Sequence, residues 1–420
     1  MNKLYFILFL IMLASCRKTF DAPVPDTTWS LFNTAQKLTN QTRISMEGVY
    51  AVHDGADEFG DIVALKWNYV INGTDTSYHV SVFCGKDVSY FTMEGKKSGD
   101  SILFNGYWRK LVNTETGIIR FSISSTNGAK QLLSAAPIIG KDSIIMIGVY
   151  GNGQELPTKK IVFSWLRKLY QGSTFEIMAH RSGGRTSDLL PVSENSIGMI
   201  KYTSQLGSTG IEIDVRLTKD GIPILYHDNS LNLRLIQKNG LVGPIANYTY
   251  EELNEFVRLI DGEHIPTLRQ ALDTVVYHTS LRFIWLDTKY TGPLQAVRDL
   301  QAEYLQKAAV AGRNLRIVIG IPNEDVLNEF EQLSNYQSIP SLCELTVDDV
   351  QNLNSQVWAP RWTLGLQTTE VNQVQSQGRK AFVWTLDVPD YVNQFINQGN
   401  FDGILSNYPS LVAYYAYIKQ

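Results

Sequence analysis

The sequence predicts two domains of different class, an all-β domain followed by an α/β domain built as a (β/α)8 barrel. Residues 42–165 alternate between apolar and polar side chains in short stretches separated by turn residues, which is typical of β-strands. Beyond Gln171-Gly172-Ser173, apolar stretches alternate with amphipathic ones over about 245 residues. With 44% apolar residues, the chain can build two cores.

The N-terminal residues 1–16 predict export and lipidation. Lys3 precedes an uncharged apolar run that is too short for a bilayer span, which takes about 20 residues. The run ends in Leu13-Ala14-Ser15-Cys16, which resembles a bacterial lipobox with Cys16 as the lipidated residue. We therefore expect a lipoprotein anchored to the cell envelope, on the periplasmic or surface side of an outer membrane. The alternatives are a plain signal peptide and a buried helix with an incidental cysteine.

Composition argues against two other classes of protein, the disulfide-rich proteins and the nucleic-acid-binding proteins. Cys84 and Cys343 are the cysteines that follow Cys16, too few for a disulfide framework, so each is predicted to be a small core residue. The formal net charge of −4 gives no support for nucleic-acid binding.

Residues 17–41 are predicted to form a tether, since Pro23 and Pro25 interrupt a stretch without apolar period. Residues 42–170 then predict a sandwich or a barrel. Gly48-Val49-Tyr50 and Gly106-Tyr107-Trp108 resemble motifs of lipocalin-like barrels. No chemistry-bearing cluster stands in this half, and a glycan or a protein is the partner we expect for it.

The C-terminal domain is expected to span residues 171–420, with a doubly wound sheet as the alternative to a barrel. Its predicted strands are 175–180, 211–217, 282–287, 315–320, 341–346, 356–360, 381–386 and 402–406. Predicted helices include 194–206, 249–259, 267–279, 293–311, 323–333 and 388–398.

Polar residues stand where the predicted strands end, the position of active sites in (β/α)8 barrels. His180-Arg181 ends the first strand, Glu212 and Asp214 lie on the second, and Asp287-Thr288-Lys289 ends the third. His227-Asp228 ends a hairpin after the second strand. Because residues i and i+2 of a strand share a face, Glu212 and Asp214 should project together into the barrel.

Neighbouring buried carboxylates repel unless a cation lies between them. One hard divalent cation with oxygen ligands, Ca²⁺ or Mg²⁺, would remove the repulsion, and Asp287 could add a third carboxylate. Arg181, Arg216 and Lys289 could neutralise the charge instead, so a structural ion-pair network remains an alternative at this point.

Residues 175–415 closely resemble the glycerophosphodiester phosphodiesterases, which are phospholipase C-like TIM-barrel enzymes. The resemblance depends on several motifs in order, namely His180-Arg181, Glu194-Asn195-Ser196, the run from Glu212 to His227-Asp228, Ile265-Pro266-Thr267-Leu268, Asp287-Thr288-Lys289, Val383-Trp384-Thr385, Asp402-Gly403-Ile404 and Tyr408-Pro409. None of these motifs lies in the N-terminal half.

The resemblance implies a role for each motif residue. His180 and His227 would be the catalytic acid–base pair, and Glu212, Asp214 and Asp287 would be the metal ligands. Arg181 and Lys289 would bind the phosphate. Glu194 and Asn195 would orient the residues around the metal and the phosphate. The implied reaction releases glycerol 3-phosphate and an alcohol. In this family a hydroxyl of the substrate's glycerol is thought to attack first, and water then opens the cyclic phosphate.

Three departures from the family pattern concern the site. Asp287 stands where Glu is usual, Ser182 separates Arg181 from the glycines, and the segment 229–265, a small insertion after the second strand, begins differently. Because this segment begins differently, the identity of the substrate's head group is left open. The alternatives are therefore a phospholipase-like enzyme acting on an intact lipid or a wall-polymer diester, and a non-catalytic phosphodiester-binding surface lipoprotein.

Overall fold

The computed structural model describes residues 22–25, 29–170 and 175–420. The predicted signal peptide and Cys16 therefore lie outside the described residues. Part of the predicted tether is folded: Ser30–Asn33 is a helical turn, and Gln36–Lys37 pairs with a strand of the N-terminal domain. Phe32 and Leu38 are buried against that domain.

The N-terminal domain is an antiparallel β-barrel. Its strands are β1 (Gln36–Lys37), β2 (Gly48–Asp54), β3 (Ile62–Asn72), β4 (Asp75–Cys84), β5 (Ser89–Ser98), β6 (Ser101–Lys110), β7 (Thr116–Ile123), β8 (Ile145–Tyr150) and β9 (Lys159–Arg167). Strands β2 to β9 pair with their neighbours in chain order, and pairing of β2 with β9 closes the ring. The short β1 pairs with the second half of β5. The predicted all-β domain is confirmed, in its barrel form.

Aromatic side chains fill the interior of this barrel. The helical turn Ala56–Phe59 carries Phe59 into it, with its ring centroid 4.7 Å from that of Phe91. Phe121 and Phe163 continue the packing, with ring centroids 4.9 Å apart. The buried thiol of Cys84 belongs to the same core, as expected from the sequence.

The C-terminal domain is a parallel barrel. Its strands are β10 (Glu176–Ala179), β11 (Gly210–Leu217), β15 (Phe283–Thr288), β16 (Arg316–Ile321), β17 (Ser341–Cys343), β18 (Val357–Trp358), β19 (Lys380–Val383) and β20 (Gly403–Ser406). Pairing of β10 with both β11 and β20 closes the ring. Each predicted strand overlaps one of these, so the (β/α)8 prediction is confirmed and the doubly wound alternative is wrong.

A helix follows each strand and covers the outside of the barrel. These helices are Ile197–Tyr202, Leu268–His278, Gln295–Val310, Glu324–Glu331, Val347–Asn352, Thr368–Ser376, Pro389–Gln398 and Pro409–Ile418. Side-chain caps fix several starts: the hydroxyls of Ser196, Thr267 and Thr346 each accept a backbone N–H of the first turn. Proline occupies the first position of the last two helices, where its missing N–H costs nothing.

The predicted insertion after β11 is also present. It follows the short strand β12 (Pro223–Leu225) and contains the strand pair β13 (Ser230–Leu231) and β14 (Gly243–Pro244) and the helix Tyr250–Phe256. Its own apolar cluster includes Leu235, Ile245 and Leu253.

Large side chains close the lower part of the parallel barrel. Met178, Phe283, Trp285 and Phe382 lie in this interior layer. Trp285 leaves no room on the neighbouring strand, since a Cβ at Gly320 would lie 2.4 Å from its indole nitrogen. The layer forms an apolar floor, and the interior positions nearer the carboxyl ends of the strands are acidic.

The two domains share an extensive interface. The helix Pro409–Ile418 packs against β3 and β4, the Ser81 hydroxyl donates to the carbonyl of Gln205, and His278 bonds the carbonyl of Ile71. Within the described ranges, no helix is both long enough and apolar enough to cross a bilayer.

Candidate active site at the carboxyl ends of the barrel strands

Three carboxylates converge above the apolar floor. Glu212 and Asp214 project into the barrel, while Ile211, Ile213 and Val215 pack outward against the helices, as the alternation predicts. Parallel pairing places Asp214 beside Asp287 on β15. One oxygen from each of Glu212, Asp214 and Asp287 lies within 4.8 Å of the other two. All three side chains are buried.

These carboxylates have oxygen atoms to spare. Glu212 Oε1, Asp214 Oδ1 and Asp287 Oδ1 are buried and accept no hydrogen bond from the described residues. The nearest cation is Lys289, whose Nζ contacts Asp287 and lies 3.3 Å from Asp214 Oδ1. A donor set of three buried carboxylates, each with an oxygen that accepts no hydrogen bond from the described residues, fits a hard divalent cation.

The site's electrostatics show the same excess of negative charge. Burial, together with Asp214 and Asp287, holds the pKa of Glu212 well above its usual range. Burial also raises the pKa of Asp287. Burial alone would raise the pKa of Asp214, but Lys289, His227 and Arg181 outweigh it and lower that pKa. Lys289 alone therefore does not balance three carboxylates.

His180 is held by a chain of hydrogen bonds from the last strand. Its Nδ1 lies 2.7 Å from Asn407 Oδ1, and the Asn407 amide donates to Asp387 over 2.6 Å. Since this amide oxygen can only accept, Nδ1 carries the proton and Nε2 is left with a lone pair. Nε2 lies 3.8 Å from Glu212 Oε2. Burial, followed by the charge of Arg181, lowers the pKa of His180 to about 4, which favours the neutral ring.

His227 is anchored in a similar way. Its Nδ1 lies 2.6 Å from Asp228 Oδ1, so the carboxylate accepts the proton of Nδ1 and leaves Nε2 as the nitrogen that this hydrogen bond does not use. Asn232 and Arg234 donate to Asp228 in turn. The insertion that begins after His227 thus supplies two residues that fix the carboxylate behind this histidine.

The loop after β10 connects Arg181 to the three carboxylates. The backbone N–H of Arg181 donates to Glu212 over 2.7 Å, and its guanidinium donates to Glu194 over 2.9 Å. Its buried Nε makes no hydrogen bond with the described residues. The Asn195 amide donates to Asp214 over 2.6 Å. The loop therefore places a guanidinium close enough to lower the pKa of Asp214, and it orients two of the three carboxylates.

The strand ends also hold residues that the sequence analysis did not single out. Asn407 and Asp387 follow β20 and β19, and Arg234 lies in the insertion. Glu344 follows β17, and its pKa is well above the usual range because of burial and the nearby Asp287. The positions of Asn407 and Asp387 directly after predicted strands, and of Glu344 near the end of one, could have indicated them from the sequence. They belong to none of the motifs that carried the resemblance.

Comparison with known proteins identifies the family. Residues 180–411 match the model of the Glycerophosphoryl diester phosphodiesterase family. The chain belongs to this family. The match begins at His180 and includes all the carboxylate, histidine and cationic residues described above, so the predicted family and the prediction of an enzyme are confirmed.

Two relatives are named as glycerophosphodiester phosphodiesterases. The Glycerophosphodiester phosphodiesterase of Caldanaerobacter subterraneus is 24% identical over 242 residues, covering 56% of this chain and 94% of the relative. Glycerophosphodiester phosphodiesterase 1 of Homo sapiens is 26% identical over 137 residues, covering 31% of this chain and only 39% of the human protein.

Solved structures of the family are also similar. A glycerophosphodiester phosphodiesterase from Parabacteroides distasonis has a TM-score of 0.44 at 23% identity, covering 56% of this chain and 94% of that one. A phosphodiesterase from Oleispira antarctica, solved with the product sn-glycerol-3-phosphate, has a TM-score of 0.44 at 20% identity, with the same coverage of both chains.

Proposed function

We propose that this protein hydrolyses glycerophosphodiesters to glycerol 3-phosphate and an alcohol, with one divalent cation, Ca²⁺ or Mg²⁺, held by Glu212, Asp214 and Asp287. The observation that carries the proposal is a buried three-carboxylate cluster with free oxygens beside two histidines, each fixed through Nδ1. Family membership supports the reaction class.

In this proposal the two histidines share the proton transfers. His180, neutral and with its Nε2 lone pair directed at the site, accepts the proton of the attacking hydroxyl. In its doubly protonated form, with Nδ1 bonded to Asp228, His227 donates the proton of Nε2 to the departing alkoxide. Fixing Nδ1 on each ring keeps Nε2 as the reactive nitrogen throughout. When bound, the cation would polarise a phosphoryl oxygen and stabilise the charge that develops there.

The cationic residues would bind the phosphate. Arg181 offers a planar fork whose buried Nε has no partner among the described residues. Lys289 adds a point charge near Asp214 and Asp287. Glu194 and Asn195 orient Arg181 and Asp214 rather than react.

The reaction can be tested on protein lacking residues 1–16. Glycerol 3-phosphate release would be followed from glycerophosphocholine and glycerophosphoethanolamine, with Ca²⁺, Mg²⁺ or EDTA, and with His180→Ala as the control. We expect metal-dependent release that the control lacks. Bis-p-nitrophenyl phosphate, which has no neighbouring hydroxyl, should react poorly if that hydroxyl attacks first. Folded protein that releases nothing under any condition would contradict the proposal.

A second candidate is hydrolysis of a diester that keeps an acyl chain. Exposed apolar side chains occur in segments that follow the strands, at the end of the barrel where the site lies: Leu233 and Val242 in the insertion, Leu364 after β18, Val388 directly before the helix that follows β19, and Tyr391 in the first turn of that helix. An apolar rim would favour a lipid substrate over a deacylated one. Faster choline release from lysophosphatidylcholine than from glycerophosphocholine would favour this candidate.

We also propose that the protein is exported and anchored through a lipid on Cys16. The apolar run and the small residues before Cys16 support this proposal. Cys16→Ser should move the protein from the membrane fraction to the soluble fraction and abolish incorporation of labelled fatty acid. If Cys16→Ser stayed in the membrane fraction and still incorporated labelled fatty acid, lipidation at this residue would be contradicted. A glycan or protein partner for the N-terminal domain stays a prediction.

A further inference from the structure

The loop between β10 and its helix has a backbone that needs support. Residues 180–196 include Arg181, Ser182, Leu189 and Asn195, whose φ angles are 51°, 67°, 51° and 58°. Side chains other than glycine rarely adopt such angles, and they persist only where the surroundings fix them. Two of these residues, Arg181 and Asn195, directly contact the metal-site carboxylates.

Part of the support comes from the loop and its own domain. The Asp188 carboxylate accepts hydrogen bonds from the backbone and side chain of Arg185, and it also accepts one from the Tyr408 hydroxyl. Glu194 accepts from the backbone and hydroxyl of Thr186. These bonds shape the turn around Asp188.

The rest of the support comes from the N-terminal barrel. Arg109 on β6 is fully buried, and its guanidinium donates to the backbone carbonyl of Asp188 over 2.8 Å. That carbonyl belongs to the peptide bond that leads into Leu189, which has a positive φ. A residue of the β domain therefore holds the strained turn of the loop that carries Arg181 and Asn195.

A second contact with the N-terminal barrel holds the helix that follows the loop. Tyr202 closes the helix that follows the loop, and its hydroxyl lies 2.8 Å from that of Tyr90 and 2.7 Å from that of Tyr107. Tyr90 is on β5, and Tyr107 is on β6, two residues before Arg109. Neighbouring strands of the β-barrel thus contact both the middle of the loop and the helix after it.

We propose that the N-terminal barrel is an intramolecular scaffold for the catalytic loop and that Arg109 is a positioning residue for the reaction. It acts through the Asp188 carbonyl on the placement of Arg181 and Asn195. The inference rests on the proposed function, since it assigns Arg109 to that same site. The contact joins main chain to side chain, so it depends on Arg109 and not on the side chain of Asp188.

The test compares Arg109→Met with a matched interface variant, Ser81→Ala, in the full-length chain in detergent. Each change removes a buried donor from the β-barrel to a backbone carbonyl of the catalytic domain, Asp188 in one case and Gln205 in the other. Arg109→Lys, which keeps the charge and loses the fork, tests rescue and replaces Arg109→Met if that variant does not fold. The readouts are kcat and KM at saturating metal, and amide hydrogen exchange by mass spectrometry.

We expect Arg109→Met to lower kcat at least 10-fold and to speed exchange in peptides covering 180–196, with partial recovery in Arg109→Lys. Ser81→Ala should leave kcat and those peptides unchanged. Equal effects of the two variants, or an unchanged loop in Arg109→Met, would overturn the proposal, because Arg109 would then be a general domain contact. If the wild-type protein shows no turnover, the proposed function fails, while the exchange data still decide whether Arg109 holds the loop.

Discussion

Among single residues, Asn407 gives the sharpest test of the acid–base assignment. Its amide oxygen is the acceptor for His180 Nδ1. Without it, the ring can rotate or take the other tautomer, and Nε2 is no longer held with a lone pair toward the site. We expect Asn407→Ala to lower kcat on the order of 100-fold, the low end of what acid–base catalysis contributes, with KM little changed. Steady-state kinetics measure both constants.

The matched control for that variant is Asn400→Ala. Asn400 is another asparagine of the same domain, and its amide bonds Gln375 on the outer helix. Its loss should leave kcat within experimental error. An Asn407→Ala enzyme as active as the Asn400→Ala enzyme would show that this hydrogen bond does not set the state of His180.

Asp287 tests the metal assignment at the same scale. Replacing it with Asn keeps the shape and removes one of three charges, so we expect the metal concentration for half-maximal activity to rise at least about 10-fold. Asp287→Glu keeps the charge and restores the usual family residue, so its metal requirement should stay close to that of the wild type. Metal titrations of activity compare the variants. An unchanged requirement in Asp287→Asn would remove this residue from the ligand set.

At the scale of the strands, the tight packing at the floor of the parallel barrel predicts how a substitution there changes the free energy of unfolding. A Cβ at Gly320 on β16 would lie 2.4 Å from the Trp285 indole nitrogen and 2.9 Å from the Leu286 carbonyl. Overpacking of this kind lowers the free energy of unfolding by about 1–3 kcal/mol. Urea unfolding of Gly320→Ala should show that loss. A Cβ at Gly140 meets no atom within 4 Å, so Gly140→Ala should stay within about 0.5 kcal/mol of the wild type.

Strand periodicity and strand-end position made much of this element-level structure predictable. The alternation of Glu212 and Asp214 with outward apolar residues placed both carboxylates in the barrel, and the structure brings Asp287 beside them. The pairing of His180 with Asn407 was not predictable in the same way. It joins the first strand to the last, and only closure of the ring brings these residues together.

The same reason explains why the sequence did not predict a contact between the N-terminal domain and the loop that carries Arg181. Its strand pattern predicted β structure, but Arg109 reads as an ordinary outward-facing strand residue. Its contact is with a carbonyl in another domain, and a backbone acceptor leaves no residue pattern in the sequence. A contact of this kind becomes visible only when both domains are placed.

At the scale of the whole molecule, metal binding should couple to stability across both domains. A cation that binds only the folded protein adds about 2.7 kcal/mol of stability at 100 times its Kd. For a chain of 420 residues that unfolds in one transition, this corresponds to a rise in Tm of roughly 3 °C. Differential scanning calorimetry in EDTA, and then with Ca²⁺ or Mg²⁺, measures the shift, and Asp287→Asn should reduce it.

The shape of that transition carries further information. Because hydrogen bonds and a packed helix join the two barrels, we expect them to unfold in one transition that shifts as a unit when metal is added. If the β-barrel unfolded separately, a second transition would appear at a temperature that metal does not change. That outcome would mean that the interface contributes too little to couple the domains, and Arg109 could then hold the loop only while the β-barrel is folded.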